Sequence, residues 1–198
     1  IRLSLVGSEM CIRDSLYVTT DFDSTSFTPI VPCCNQILTV GRALKVTLTD
    51  LNFEFTTGYV QTSSGVKISN TKNVTIDNCT FNHHNWKGLQ AGSAPGLWFD
   101  FEVRIASPAM EISNCDFSYC GGLGFGIDKI VGLELDSCTT TGNNWRGYSA
   151  KTMTWACGAF KIMHVDNASI YYHYSTGNYG RGFWIDTDCY NVLTVSYT

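Results

Sequence analysis

The sequence predicts an all-β solenoid in which short strands stack coil upon coil along one axis. Two observations support this prediction. A strand-like motif recurs along the chain at spacings of 23 to 36 residues, and a glycine recurs at one fixed distance behind it. Because apolar and polar residues alternate inside the motif, each copy fits a strand that turns one face toward a core.

The motif is clearest in residues 74–81, which read VTIDNCTF. Its first and third residues are apolar and its second is polar. Copies begin at Val46, Val74, Met110, Leu133 and Ala168, and a weaker last copy lies near Leu193. The third positions are Leu48, Ile76, Ile112, Leu135 and Ile170, with Leu193 taking this place in the last copy. We expect these third-position side chains to form one buried column, as stacked repeats do.

A glycine stands twelve residues after four of the third positions, at Gly88, Gly124, Gly147 and Gly182. We expect these glycines to adopt positive φ in a turn that precedes the next strand. The basic period is then 23 residues. The longer spacings contain insertions, which in solenoids form loops on one face.

The repeat predicts a parallel β-helix of about six coils over residues 46–198, cut short at the C-terminus. A leucine-rich repeat fits less well, because the chain has few leucines and no segment with helical apolar spacing. Residues 16–45 are expected to form an irregular N-terminal segment. Residues 1–15 (IRLSLVGSEMCIRDS) show no strand alternation and resemble translated sequencing-adapter sequence, so we expect a non-native appendage that packs poorly on the solenoid.

Three kinds of segment resemble the pectin-lyase-like superfamily of right-handed parallel β-helices. They are the Val-x-Ile-x-Asn-Cys-x-Phe copies, the NWRG turn at 144–147, and the similar segments GLWFD at 96–100 and GFWID at 182–186. The resemblance runs from about residue 46 to 198. It implies the fold without selecting an activity, because that superfamily includes polysaccharide lyases, glycoside hydrolases, uronan epimerases, pectin esterases and non-catalytic surface proteins.

Composition excludes several other classes of protein. The net charge of −4 argues against nucleic-acid binding, and no apolar run is long enough for a membrane helix. Nine cysteines occur without a Cys-x-x-Cys pair, so we expect no metal site and no cofactor. Cys79, Cys115 and Cys138 recur three residues after the strand Ile or Leu and are expected to be buried free thiols.

Two groups of residues are candidates for binding a sugar. Alternation sends Trp98 with Asp100, and Trp184 with Asp186, to the outer face, where an indole can stack on a pyranose and a carboxylate can accept hydroxyl protons. Alternatively, the insertion loops cover these tryptophans and the aspartates cap turns. Lys87, Arg146 and Arg181 each precede a recurring glycine and could pair with uronate or sulfate groups, or remain solvated. His83 and His84 are expected to be exposed in the same turn region.

The candidate catalytic residues are Asp128, Asp186 and Lys161. Counting back from the buried residue of each coil places both aspartates in one outward column, two coils and about 9–10 Å apart. Lys161 projects from the coil between them. Two carboxylates with room for a water suit an inverting glycosidase, and Lys161 would keep one of them ionised as the base. Alternatively, the three charges only offset repulsion along the strands.

These observations predict an extracellular or cell-surface, carbohydrate-active protein that binds a polysaccharide along one face. If it is an enzyme, it would be a glycosidase or a polysaccharide lyase. A uronan epimerase is disfavoured, since no Tyr-Gly-Phe-Asp-Pro-His-type motif occurs. The alternative is a non-catalytic structural or adhesive solenoid. The expected partner is a polysaccharide, without nucleic acid or membrane insertion, and the protein is expected to be a monomer.

Overall fold

The computed structural model describes residues 34–41, 43, 45–58, 63–71, 73–92, 107–149 and 157–196. Trp98, Asp100 and residues 1–15 lie outside these ranges. Within them the chain forms strands, turns and bends, and no helix. The strands are β1 Leu38–Gly41, β2 Val46–Thr49, β3 Asn52–Glu54, β4 Ser64–Ser69, β5 Val74–Asp77, β6 Thr80–Asn82, β7 Lys87–Gly92, β8 Ser107–Ser113, β9 Asp116–Ser118, β10 Leu123–Asp136, β11 Thr139–Thr141, β12 Gly158–Tyr171, β13 Tyr174–Thr176, β14 Trp184–Ile185 and β15 Tyr190–Val195.

The strands stack in parallel as three ladders around one core, which makes the chain a parallel β-helix. The front ladder contains β1, β4, β7, residues 123–128 of β10, residues 158–163 of β12, and β14. The middle ladder contains β2, β5, β8, the remainders of β10 and β12, and β15. The back ladder contains β3, β6, β9, β11 and β13. Six successive coils lie within the described residues, and β1 falls in the segment expected to be irregular.

The predicted buried column is confirmed. Leu48, Ile76, Ile112, Leu135 and Ile170 pair in register on the middle ladder and are at most 8% exposed. Stacked phenylalanines fill the back of the same core, at Phe53, Phe81 and Phe117, with successive ring centroids 5.1 and 4.8 Å apart. Identical side chains in successive coils therefore form the core, as expected when each repeat buries its apolar face only against its neighbours.

A left-handed residue forms the corner between the middle and back ladders in each coil. Asn78 and Asn114 have φ near 50° there, a region that asparagine tolerates better than most residues. The next residue is the recurring cysteine. Cys79, Cys115 and Cys138 are buried free thiols, as predicted, and each Sγ donates to the carbonyl oxygen two residues earlier. The Asn-Cys pair in the motif is thus a corner signature.

The glycine prediction was partly wrong. Gly88, Gly124 and Gly182 follow the front-ladder register, but their φ is not positive. A Cβ at Gly88 would lie 2.7 Å from the carbonyl oxygen of Gly124, so close approach of neighbouring coils favours glycine there. Gly147 does have a φ of 67°, but it lies in a separate turn, and Ala159 occupies its expected place in the ladder.

The last coil is one residue longer than the repeat predicted. Thr194, and not Leu193, pairs with Ile170. Leu193 pairs with the outward Ser169 instead and is 52% exposed. Ile185 pairs with the buried Ile162 as expected, yet it is 44% exposed, because no coil in the described part of the chain stacks on β14.

Candidate functional site

The outer face of the front ladder gathers most of the predicted site residues. Strand alternation sends two rows of side chains outward there. The first row runs Lys67, Gln90, Gly126, Lys161 and Trp184 across successive coils. The second row runs Ser69, Gly92, Asp128 and Met163, and Asp186 follows β14 in the same register. We call this surface the front groove.

Lys161 lies at the centre of one cluster in the front groove. Its Nζ is 2.6 Å from Oδ2 of Asp186 and 4.2 Å from the ring centroid of Trp184. Partial burial opposes ionisation of Asp186, but the hydrogen bond and charge of Lys161 hold the pKa of Asp186 below its usual value. The register leaves Asp186 two coils from Asp128, and Lys161 forms an ion pair with Asp186. Asp186 is therefore ionised at neutral pH.

Trp184 contacts two cations. In addition to Lys161, the guanidinium Cζ of Arg181 lies 3.9 Å from its ring centroid. Both contacts are cation–π interactions, which fix the orientation of the indole. A sugar that stacks on Trp184 must use the ring area that these cations leave open, or displace one of them.

Asp128 belongs to a second cluster that alternation alone did not predict. Its Oδ1 lies 2.8 Å from Nδ1 of His164, whose Nε2 lies 3.9 Å from Oδ2 of Asp188. His164 has a φ of 51° at the corner that follows the front-ladder part of β12. This corner directs the imidazole back toward the groove, between two carboxylates. The three side chains are only partly exposed, so the cluster is accessible but shielded.

Lys87 is a buried cation at the other end of the groove. It is 7% exposed and donates to Oε1 of Gln90 at 2.5 Å. Burial, and to a smaller extent the nearby charge of Lys161, lower the pKa of Lys87 to about 8. In the described part of the chain no carboxylate forms an ion pair with Lys87. Gly126 lies between the Lys87 and Lys161 clusters, and the Gln90 side chain covers it, because an added Cβ there would lie 3.0 Å from Gln90 Oε1.

Two of the three basic residues that precede a recurring glycine occupy the same position in the front ladder. Lys87 and Arg181 share a ladder register through Leu123 and Gly158. Arg146 does not belong to it, because Gly158 and not Arg146 pairs with Leu123 and with Arg181. The Arg146 side chain stacks on Trp145 and donates to Asn85 Oδ1 instead.

The prediction that His84 is exposed was wrong. His84 is fully buried, and its Nδ1 lies 3.1 Å from Oγ1 of Thr56. The ring occupies the space beneath Gly65, where an added Cβ would lie 2.2 Å from the imidazole. His83 is exposed, and its ring stacks between those of Phe55 and Tyr119.

Sequence reasoning missed His164, Asp188 and Gln90 as parts of the site. A signal existed for His164, because a shift of 35 residues aligns Asp128-Lys129 with Met163-His164. Strand alternation predicts the direction of side chains only within a strand, so it does not apply to corner residues such as His164. Among the described residues, no group of three or more His, Cys, Asp or Glu side chains has the geometry of a metal site. The described residues also contain no helix that could span a membrane.

Comparison with known proteins gives one positive result. A family model described as "right handed beta helix region" matches residues 64–198, which include all the groove residues described above from Lys67 to Asp188. No curated protein and no solved structure matches the chain.

Proposed function

The chain belongs to the right-handed β-helix family, and on that premise we propose that it is an extracellular or cell-surface protein that binds an acidic polysaccharide along the front groove. The observation that carries this proposal is the excess of cations in the groove. Lys67, Lys87, Lys161 and Arg181 face it, against three carboxylates: Asp186 pairs with Lys161, and Asp128 and Asp188 flank His164. Within the described residues, Lys87 and Arg181 have no carboxylate partner.

A uronate-bearing chain complements this arrangement. Its carboxylates can accept hydrogen bonds from the guanidinium of Arg181, whose planar donors suit carboxylates, and from the ammonium of Lys87. Burying a cation without a carboxylate partner is unfavourable, so an anionic ligand that pairs with Lys87 gains more than it would at a solvated lysine. The coils lie about 4.8 Å apart, so an extended polysaccharide that lies along the groove can contact successive coils.

Binding is tested by titrating the protein with polygalacturonate and with a neutral glucan of similar length. We expect polygalacturonate to bind and the glucan to bind at least tenfold more weakly. The affinity for polygalacturonate should fall as ionic strength rises, because exposed charges are screened. Equal affinity for both polymers, or no dependence on salt, would contradict an electrostatic groove.

Cleavage by the predicted residues is a further part of the proposal. In a hydrolytic step the ionised Asp186 would accept the proton of the attacking water. Asp128 Oδ1 lies 2.8 Å from His164 Nδ1, so Asp128 is placed to orient the imidazole rather than to donate a proton itself. His164 would act as the general acid toward the leaving oxygen, with Asp128 fixing the orientation of its ring.

The non-catalytic alternative is supported by the contacts Lys161–Asp186 and His164–Asp128. Each contact already engages side chains that a catalyst would need to leave available to the substrate. The two functions are separated with a polysaccharide that the wild type binds. Product analysis should show cleavage that Asp128→Asn, Asp186→Asn and His164→Gln each reduce by at least a hundredfold, a usual loss for an acid–base residue. Binding without products would support the non-catalytic function, and near wild-type turnover of a variant would remove that residue from the mechanism.

A further inference from the structure

A cleft adjoins the front groove on the same coils, and apart from Arg181 its lining has no role in the function proposed above. It has a volume of about 480 Å³ and is open to solvent. Its described lining includes the tyrosines Tyr148 and Tyr179, the thiol of Cys157 and the guanidinium of Arg181. An added Cβ at Gly147, also in the lining, would meet no atom of the described residues within 4 Å. This volume is within the usual range for small-molecule sites.

A buried amide holds the walls of the cleft in place. Asn144 is 1% exposed, and its Nδ2 donates to the carbonyl oxygens of Tyr148 at 2.9 Å and Tyr179 at 2.6 Å. Its Oδ1 accepts from the backbone N of Tyr148 at 3.0 Å. The ring of Tyr148 also packs on the buried Trp86, with centroids 4.9 Å apart. Hydrogen bonds to one buried side chain therefore hold the backbones of both tyrosines, which is the preorganisation that a binding site needs.

Arg181 joins the cleft to the front groove. Its guanidinium stacks on Trp184 in the groove, and the same residue lines the cleft. Stacking uses the face of the guanidinium and leaves its N–H donors at the edge. In the described part of the chain these donors have no carboxylate within ion-pair distance. Tyr179 beside it is 60% exposed, so its ring is accessible to a ligand.

We infer that this cleft is a subsite for a uronic acid residue, at which the polysaccharide bound in the front groove makes an additional contact. The sugar ring would pack against Tyr179, and its carboxylate would accept from the edge of Arg181. Aromatic rings and a planar cation together recognise an apolar pyranose face and an anionic substituent. The inference rests on the proposed function, because it assigns the cleft to the same ligand.

The inference is tested by calorimetric titration with oligogalacturonates from the disaccharide to the dodecasaccharide. The wild type should gain affinity with length until the ligand fills both groove and cleft. Tyr179→Ala should bind the disaccharide as the wild type does, yet bind the longest ligands about tenfold more weakly, as loss of one stacked ring implies. Tyr179→Phe, which keeps the ring, should resemble the wild type. Tyr174→Ala is the matched control, because Tyr174 is similarly exposed on β13 of the back ladder.

Three results would overturn the inference. If Tyr179→Ala, folded as judged by its thermal unfolding, binds every length like the wild type, the cleft has no role while groove binding stands. If Tyr179→Ala weakens the binding of neutral gluco-oligosaccharides as strongly as it weakens the binding of oligogalacturonates, the site does not recognise uronates. If the wild type binds no oligogalacturonate of any length, the groove and the cleft proposals both fail.

Discussion

Lys161 Nζ and Asp186 Oδ2 lie 2.6 Å apart and join two successive coils of the front ladder. The lysine side chain is 5% exposed and the carboxylate 27%. Asp186→Asn removes the carboxylate that offsets a buried cation, so we expect the free energy of unfolding to fall by about 1–2 kcal/mol in urea titrations at pH 7, after discounting for partial exposure.

The same ion pair determines the direction in which the stability of the protein changes with pH. Since the pKa of Asp186 is lowered in the folded protein, its stabilising contribution is present at neutral pH. It should be lost as the pH falls below about 4, the unfolded value, toward the lowered folded value. The double variant Lys161→Met/Asp186→Asn should recover part of the stability lost by Asp186→Asn. A single variant as stable as the wild type would show that the ion pair contributes nothing.

Lys87→Met should stabilise the protein and weaken polyuronate binding at the same time. The pKa of Lys87 is lowered to about 8 by burial, so the charged lysine destabilises the folded state at pH 7. Methionine should therefore raise the free energy of unfolding by about 2 kcal/mol. The difference in the free energy of unfolding between Lys87→Met and the wild type should shrink as the pH rises from about 8 to 10, because the folded wild type loses this charge there. The control is Lys67→Met, since Lys67 lies in the outward row one coil earlier. This variant should change the free energy of unfolding little.

Acid should destabilise the protein through two buried histidines. Burial lowers the pKa of His84 and of His173 to about 4. The unfolded chain therefore binds more protons than the folded one between about pH 6.5 and 4. Across that range each histidine should lower the free energy of unfolding by about 3 kcal/mol. His84→Gln and His173→Gln should each reduce the slope of stability against pH. His83→Gln, which changes the exposed neighbour, should leave that slope unchanged.

The cysteine column should be inert to thiol reagents in the folded protein. Cys115 is 2% exposed, and its pKa is raised to about 12, chiefly by its hydrogen bond with Cys138. Cys79, Cys115 and Cys138 are all at most 2% exposed, so reagents cannot reach these thiols in the folded protein. They should resist alkylation at pH 8 and react once guanidinium unfolds the chain. Peptide mass spectrometry after labelling identifies each site. Rapid native labelling of Cys115 would mean that the coils open locally.

The sequence predicted the core because identical contacts recur in every coil. Ile76, Ile112 and Leu135 each meet their equivalents above and below, so one alternation repeated along the chain indicates both the strand and its register. The failures came where the repeat changes. One extra residue in the last coil moved Leu193 outward, and the turn of Gly147 lies outside the front ladder although it matches the glycine spacing.

The site could be predicted only as far as strand alternation reaches. Alternation placed Asp128 and Asp186 in one outward row, with Lys161 in the neighbouring row. It could not indicate that His164 would contact Asp128, because a corner with positive φ directs that side chain. The partner of Lys161 was likewise undetermined, since a long side chain can reach either neighbouring coil.

The most direct test of the front groove compares two arginines by calorimetric titration with polygalacturonate. Arg181 lies over Trp184 in the groove, whereas Arg146 stacks on Trp145 in a separate turn. We predict that Arg181→Gln weakens binding about tenfold, as the loss of one charged hydrogen-bonding group implies, and that Arg146→Gln binds within about twofold of the wild type. Equal losses in the two variants, or no loss in Arg181→Gln, would contradict binding along the front groove.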